Sequence, residues 1–152
     1  MHTLIKAHPL IIFGPAGTGK TRTLVEIVRV LLTYSTAQIL IAAPSNAAAD
    51  VLALRIHEII NDERVICRWN ALRRLDASVS STIQLLSNDQ RVKTARVVVS
   101  TCLSAATLPQ RRFDFCLIDE AGQGEDTFFE IFFIKKHLSF FNVKCKLNIY
   151  FA

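Results

Sequence analysis

No stretch of the 152 residues approaches the roughly 20 consecutive apolar positions that span a bilayer, and no segment of the chain repeats another. No membrane association is expected on that ground. Cysteine is sparse and scattered. Cys67, Cys102, Cys116 and Cys145 form no C-x-x-C pair, which speaks against a zinc knuckle or a disulfide framework, and two of them lie in strand-like apolar runs as small buried hydrophobes. The amino-terminal region lacks the long apolar core of a signal peptide, because Leu10 to Phe13 runs straight into a glycine-containing turn. A reducing, intracellular compartment is the expectation. Acidic residues are the minority charge, 13 against 18 Lys and Arg, and the resulting +5 permits an anionic partner without requiring one. Glycine is scarce too, and three of the five glycines stand between positions 14 and 19.

What is present is organised around those three. Gly14-Pro15-Ala16-Gly17-Thr18-Gly19-Lys20-Thr21 fits G-x-x-x-x-G-K-[ST], in which glycines let successive backbone N–H groups point at a polyphosphate. In that pattern Lys20 reaches the β- and γ-phosphates and the Thr21 hydroxyl ligates Mg²⁺. The flanks agree with it. Leu10-Ile11-Ile12-Phe13 suits a buried strand, and Leu24, Ile27, Val28 and Leu31 recur at helical spacing, so the spacing predicts a helix from about Lys20 to Tyr34. A helix starting at the loop turns its positive dipole end toward the same anion.

At 51% hydrophobic and this length the chain can build one domain with a substantial core. Gln38 to Ala43, Arg96 to Ser100 and Phe113 to Ile118 read as further buried strands, with a short one around Val65 to Trp69. Between them a helix carried by Leu52, Ile56, Ile59 and Ile60 is expected, with Ser45 or Asn46 as its N-cap and Asp50 in its first turn. Continuous apolar strands separated by helices indicate a parallel sheet covered on both faces. The turns at Gly14 to Thr21, Pro44 to Asn46, Ser100-Thr101 and Asp119-Glu120 should then share the carboxyl edge, where open α/β sheets bind ligands.

Phe115-Cys116-Leu117-Ile118 delivers two acids, Asp119 and Glu120. Phosphoryl transfer to water needs one carboxylate to hold the metal and a second group to orient the attacking water, roles that fall to Asp119 and Glu120 respectively. Alone, the pair could equally be a helix cap and a first-turn acid. Beside a phosphate loop it gains chemical meaning, and the expected cofactors are ATP and Mg²⁺.

The phosphate loop, Ala43-Pro44-Ser45-Asn46-Ala47-Ala48-Ala49-Asp50, Val99-Ser100-Thr101-Cys102 and Asp119-Glu120-Ala121-Gly122-Gln123 resemble motifs I, Ia, Ic and II of the superfamily 1 RNA helicases. The branch resembled is the one that includes the nonsense-mediated-decay helicase and the Armitage-type helicases of RNA silencing. Arg68-Trp69-Asn70-Ala71-Leu72-Arg73-Arg74 is similar to a run of the Armitage-type members. The resemblance covers Leu10 to about Glu125. It implies a RecA-like P-loop NTPase fold, cut within the first of two motor domains. It also implies an ATP-driven motor moving 5′ to 3′ on single-stranded RNA, working in the cytoplasm or its ribonucleoprotein granules with silencing or decay proteins.

Carried over by resemblance, Gly14, Pro15, Ala16, Gly17, Thr18, Gly19, Lys20 and Thr21 bind nucleotide, Thr21 and Asp119 hold the metal, and Glu120 and Lys20 act catalytically. Ser45, Asn46 and Thr101 would lie near the RNA backbone, and Gln123 would couple the two sites. A pure helix cap is the alternative for Ser45 and Asn46, and a structural role is the alternative for Thr101. Arg68, Arg73 and Arg74 read as a solvated face.

The chain departs from the family in lacking a glutamine-bearing segment before the loop, in Ala16 where a second proline is usual, and in its end. Seven of the ten phenylalanines fall between Phe128 and Phe151. Residues 1–126 are therefore expected to be a partial ATP-binding domain, and 127–152 a divergent Phe/Lys-rich tail outside the family fold. The competing reading is a final strand, since Val143, Cys145, Leu147 and Ile149 alternate with polar residues. Without a second domain to supply an arginine worth about 10³–10⁵ in rate, nucleotide binding is expected to outlast turnover. The alternatives are a non-catalytic nucleotide- or RNA-binding fragment, and a DNA helicase of the same superfamily.

Overall fold

The computed structural model describes residues 10–15, 17–70, 79–87, 90–109, 111–120 and 144–151. In chain order these form β1 (Leu10–Ile12), α1 (Lys20–Tyr34), β2 (Ile39–Ala43), α2 (Asn46–Ile60) and β3 (Ile66–Arg68). There follow α3 (Ser81–Leu86), a 3-10 turn at Arg91–Lys93, β4 (Val97–Thr101), α4 (Cys102–Ala105), β5 (Arg112–Ile118) and β6 (Lys144–Phe151). The strands make one sheet in the order β1-β6-β5-β2-β4-β3, and every neighbouring pair is parallel. All the strand carboxyl ends therefore lie along one edge.

Strand periodicity sorts the core into two layers. Ile39, Ile41 and Ala43 of β2, Val97 and Val99 of β4 and Leu117 of β5 face α1, α2 and α3, packing on Leu24, Val28, Leu52, Ile56, Ile83 and Leu86. Leu40, Ala42, Val98, Cys116 and Ile118 face the other way, onto Val92, Ala95, Ala105 and Leu108. Helix α1 contains no glycine or proline and runs over the residues its spacing predicts. Its carboxyl end is held by Arg96, whose guanidinium donates to the carbonyls of Leu32 and Ser35.

Three expectations are corrected. β1 is not a buried strand. Among the described residues it stands at the sheet edge with β6 as its neighbour, and Leu10 and Ile11 are 51% and 63% exposed. Ile59 of α2 lies on the exposed side of the helix and not in its apolar stripe. Asp50 is the fifth residue of α2 and not in the first turn, and it faces β3 instead of the helix N–H groups.

Residues 144–151 form an internal strand of this sheet. β6 lies between β1 and β5, with Ile149 in register with both Leu10 and Leu117. Ile149 and Phe151 are buried in the layer beneath α1. The link between β5 and β6, residues 121–143, lies outside the described residues.

Ser45 is the N-cap of α2, its hydroxyl accepting from the Ala48 N–H at 3.2 Å. Ser45→Ala is expected to cost about 1 kcal/mol of stability, visible as a lower urea midpoint at unchanged slope.

Candidate functional site

Two turns that are distant in sequence meet at the carboxyl edge. The first, residues 14–21, follows β1. Gly17 and Gly19 adopt φ of 82° and 90°, a left-handed conformation that side chains disfavour, and a Cβ built on either would meet nothing within 4 Å. Open space beside two left-handed glycines leaves room for a phosphate group to approach backbone N–H groups. At Gly14 the limit is different, since a Cβ there would come within 2.8 Å of the Thr18 hydroxyl, which itself donates to the Pro15 carbonyl at 2.8 Å.

Helix α1 starts at this turn with Gly19 as its N-cap, and no side chain caps it. Its first turn also carries no acidic residue. The contrast with α2, capped by Ser45, is chemical: the first N–H groups of α1 remain free for an anion. Lys20 curls over the loop, its Nζ donating to the carbonyls of Gly14 and Pro15, the latter at 3.0 Å. The ammonium is thus held against the loop carbonyls.

The second turn follows β5. The Thr21 hydroxyl donates to Asp119 Oδ2 at 3.2 Å, across 98 residues of sequence. Asp119 Oδ1 accepts the Glu120 N–H at 3.1 Å. Asp119 is only 4% exposed, and burial pushes its carboxyl above the ordinary carboxylate range, against the opposing pull of the Thr21 and Glu120 hydrogen bonds and the positive charges of Lys20 and Arg55. Glu120 has φ of 55°, a left-handed backbone in a residue other than glycine, which sets the direction of its side chain at some conformational cost.

The pair of oxygens fits a divalent metal. Two adjacent ligands of an octahedral Mg²⁺ at 2.0–2.1 Å lie about 3 Å apart, close to the separation of Thr21 Oγ1 and Asp119 Oδ2. Among the described residues no three His, Cys, Asp or Glu side chains gather into a metal-holding group. One carboxylate and one hydroxyl are the donor set that Mg²⁺ takes when phosphate oxygens and water complete its shell.

Three expected nucleic-acid residues lie on the same edge. Ser45 is exposed and caps α2, and Asn46 is half-buried as the first residue of that helix. Thr101 is buried, its hydroxyl donating to Ser104 Oγ at 2.9 Å and accepting the Ser104 N–H at 3.0 Å as the N-cap of α4. Ala16, Gln123, Arg73 and Arg74 lie outside the described residues. Arg68 does not belong to a solvated face. It is 2% exposed and paired with Asp50 at 2.8 Å. That pairing escaped the sequence because the partners are 18 residues apart on different elements, and an arginine at a strand end carries no burial signal of its own. No helix among the described residues is long and apolar enough to cross a membrane.

Comparison with known proteins bears on the family and the fold. A family model described as an AAA domain matches residues 1–75. The mouse RNA helicase Mov10l1 is 35% identical over 129 residues, covering 78% of this chain and 11% of that protein. The Neurospora crassa regulator of nonsense transcripts 1 homolog is 38% identical over 90 residues, 59% of this chain and 8% of the relative. An Arabidopsis thaliana DNA replication ATP-dependent helicase/nuclease, JHS1, is 34% identical over 119 residues, 74% of this chain and 9% of its own length. The chain spans about a tenth of the length of the curated relatives it matches. The crystal structure of the UvsW helicase from bacteriophage T4 superposes with a TM-score of 0.58 at 17% identity, covering 93% of this chain and 46% of that one, a likeness of fold.

Proposed function

The chain belongs, over the residues matched, to the superfamily 1 helicases of the nonsense-mediated-decay and Armitage type, and from that premise we propose that it is the ATP-binding part of a motor moving 5′ to 3′ on single-stranded RNA. The observation that carries the reading is the approach of Thr21 to Asp119 at 3.2 Å, which joins a phosphate loop to a strand-end carboxylate.

In this reading residues 14–19 cradle the polyphosphate through backbone N–H groups, and Lys20 leaves its loop carbonyls for the β- and γ-phosphates. Thr21 and Asp119 hold Mg²⁺, which when bound neutralises charge building on the phosphate oxygens. Glu120 orients a water in line with the γ-phosphorus and accepts its proton as the water oxygen bonds to phosphorus and the bond to the ADP oxygen breaks. Ser45 and Asn46, at the start of α2, face the nucleic-acid backbone, Thr101 shapes the neighbouring turn as the N-cap of α4, and Gln123 couples the two events. RNA as the track is supported by relatives named RNA helicase and regulator of nonsense transcripts, and a DNA track by the relative named for DNA replication. Cytoplasmic work in RNA silencing or decay belongs to the same proposal. A second reading is nucleotide binding without turnover.

The test is nucleotide binding and steady-state ATP hydrolysis, with and without single-stranded RNA and matched DNA. Lys20→Ala is expected to weaken Mg²⁺–ATP binding about 10–100-fold through loss of charged hydrogen bonds, with RNA competing better than DNA. RNA-stimulated hydrolysis that Lys20→Ala abolishes supports a working motor site. Lys20-dependent binding without hydrolysis selects the second reading, and binding indifferent to Lys20 overturns both.

A further inference from the structure

Among the described residues Arg68 is the largest side chain with almost no exposure. A buried guanidinium is costly unless its N–H groups find acceptors, and packing alone would be served by Leu or Met. Three of its acceptors lie among the described residues, two on α2 and one just past β3. Nε donates to Asp50 Oδ1 at 2.8 Å, one terminal nitrogen to Asn46 Oδ1 at 2.9 Å, and the other to the Trp69 carbonyl at 2.5 Å. Asn46 and Asp50 are one helical turn apart on the same face of α2, so a single planar fork grips the start of that helix from the end of β3.

The grip has a chemical consequence at Asn46. Arginine only donates, so the Asn46 oxygen must face it, and the amide nitrogen with its two N–H groups is directed away from the guanidinium. The neighbours Pro44 and Ser45 are exposed at this edge. A phosphate oxygen only accepts. A rotated amide would present it with a carbonyl, and the held amide presents it with donors.

We propose that Arg68 is a positioning residue of the nucleic-acid interface, acting through Asn46 by holding its side-chain amide with the N–H groups outward at the carboxyl edge. The inference rests on the reading of that edge as the nucleic-acid interface. Asp50 balances the buried charge, which lets a rigid fork sit where a flexible lysine would leave the amide free to turn.

The experiment measures binding of a fluorescent oligouridylate and, separately, of Mg²⁺–ADP to the wild-type chain and to the paired replacement Arg68→Met with Asp50→Leu, which removes both charges together. The same measurements are made with Asn46→Ala alone and added to the pair. Expected is a paired variant with unchanged melting temperature and ADP affinity but about tenfold weaker oligouridylate binding, to which Asn46→Ala adds nothing. A paired variant that binds oligouridylate like wild type overturns the inference, since the ion pair would then be structural only. An Asn46→Ala effect of equal size in both backgrounds also overturns it, because Arg68 would not act through Asn46. Arg68→Lys keeps the charge without the fork and serves if the pair does not fold. The same selective weakening is expected there, and undiminished oligouridylate binding would defeat the proposal. Wild-type chain that binds ADP but no oligouridylate overturns the interface reading together with this inference, a result distinct from the others.

Discussion

Asp119→Asn is expected to make the nucleotide-free protein more resistant to heat while removing its response to nucleotide and Mg²⁺. The carboxyl is 4% exposed, and burial raises its proton affinity. A raised folded value means that the folded state favours the neutral form. Stability is therefore lost as pH climbs from the ordinary carboxylate value of 3.8 through the raised one, and the loss is complete on the alkaline side. The amide is neutral throughout. The variant's melting temperature is expected to exceed wild type by about 2–4 °C near neutrality, with the gap closing as pH falls toward 3.8. Saturating Mg²⁺–nucleotide then reverses the order, since ligand at 100 times its dissociation constant adds about 2.7 kcal/mol to a protein that binds it. Thermal scans across pH, with and without Mg²⁺–ADP, check both halves. A variant that melts below wild type without nucleotide at neutral pH would refute the account of the buried carboxyl.

The second large effect is at Phe151. Its side chain is fully buried in the layer that also holds Leu24, Val28 and Leu117, and its strand pairs on both sides. Phe151→Ala is expected to cost about 3–5 kcal/mol, a large share of the 5–15 kcal/mol typical of a domain, and to lower the melting temperature by roughly 10 °C. Nucleotide affinity at a temperature where the variant is still folded is expected to fall as well, because β6 is the strand through which β1 and its phosphate loop join the sheet. Denaturant unfolding and ADP titration measure the two effects. A melting temperature unaffected by the substitution would show that residues 144–151 contribute nothing to the sheet.

Local chemistry explains what the sequence made legible. Helix α1 begins and ends where its spacing and the phosphate loop say, and β2, β4 and β5 fall within a residue or so of their apolar runs. The approach of residues 14–21 to Asp119 follows from parallel pairing, which puts every strand's carboxyl end on one edge. Pairing partners are another matter. Nothing local distinguishes Leu10 to Ile12 as an edge strand from the same residues as a buried one, and its place in the sheet is set by the distant β6. The Phe-rich composition around Phe151 pointed away from the fold, while the weaker alternation of Cys145, Leu147 and Ile149 pointed to a strand. Arg68 was misread for the same reason: its burial is created by Asn46 and Asp50, which only the folded sheet brings to it.

The order of strands also bears on the sequence of assembly during synthesis. β1 precedes the other strands, yet its described partner is β6, the last of them. Closing a pairing of such sequence separation is slow compared with forming neighbouring elements. β2, β3, β4 and β5, joined through α2, can assemble into a four-stranded nucleus as the ribosome supplies about 5–20 residues per second. Asp119 and α1, which packs on α2, can both be in place on that nucleus while β1 still waits for β6, so a nascent chain would gain its metal pair before the strand that leads into its phosphate loop is fixed.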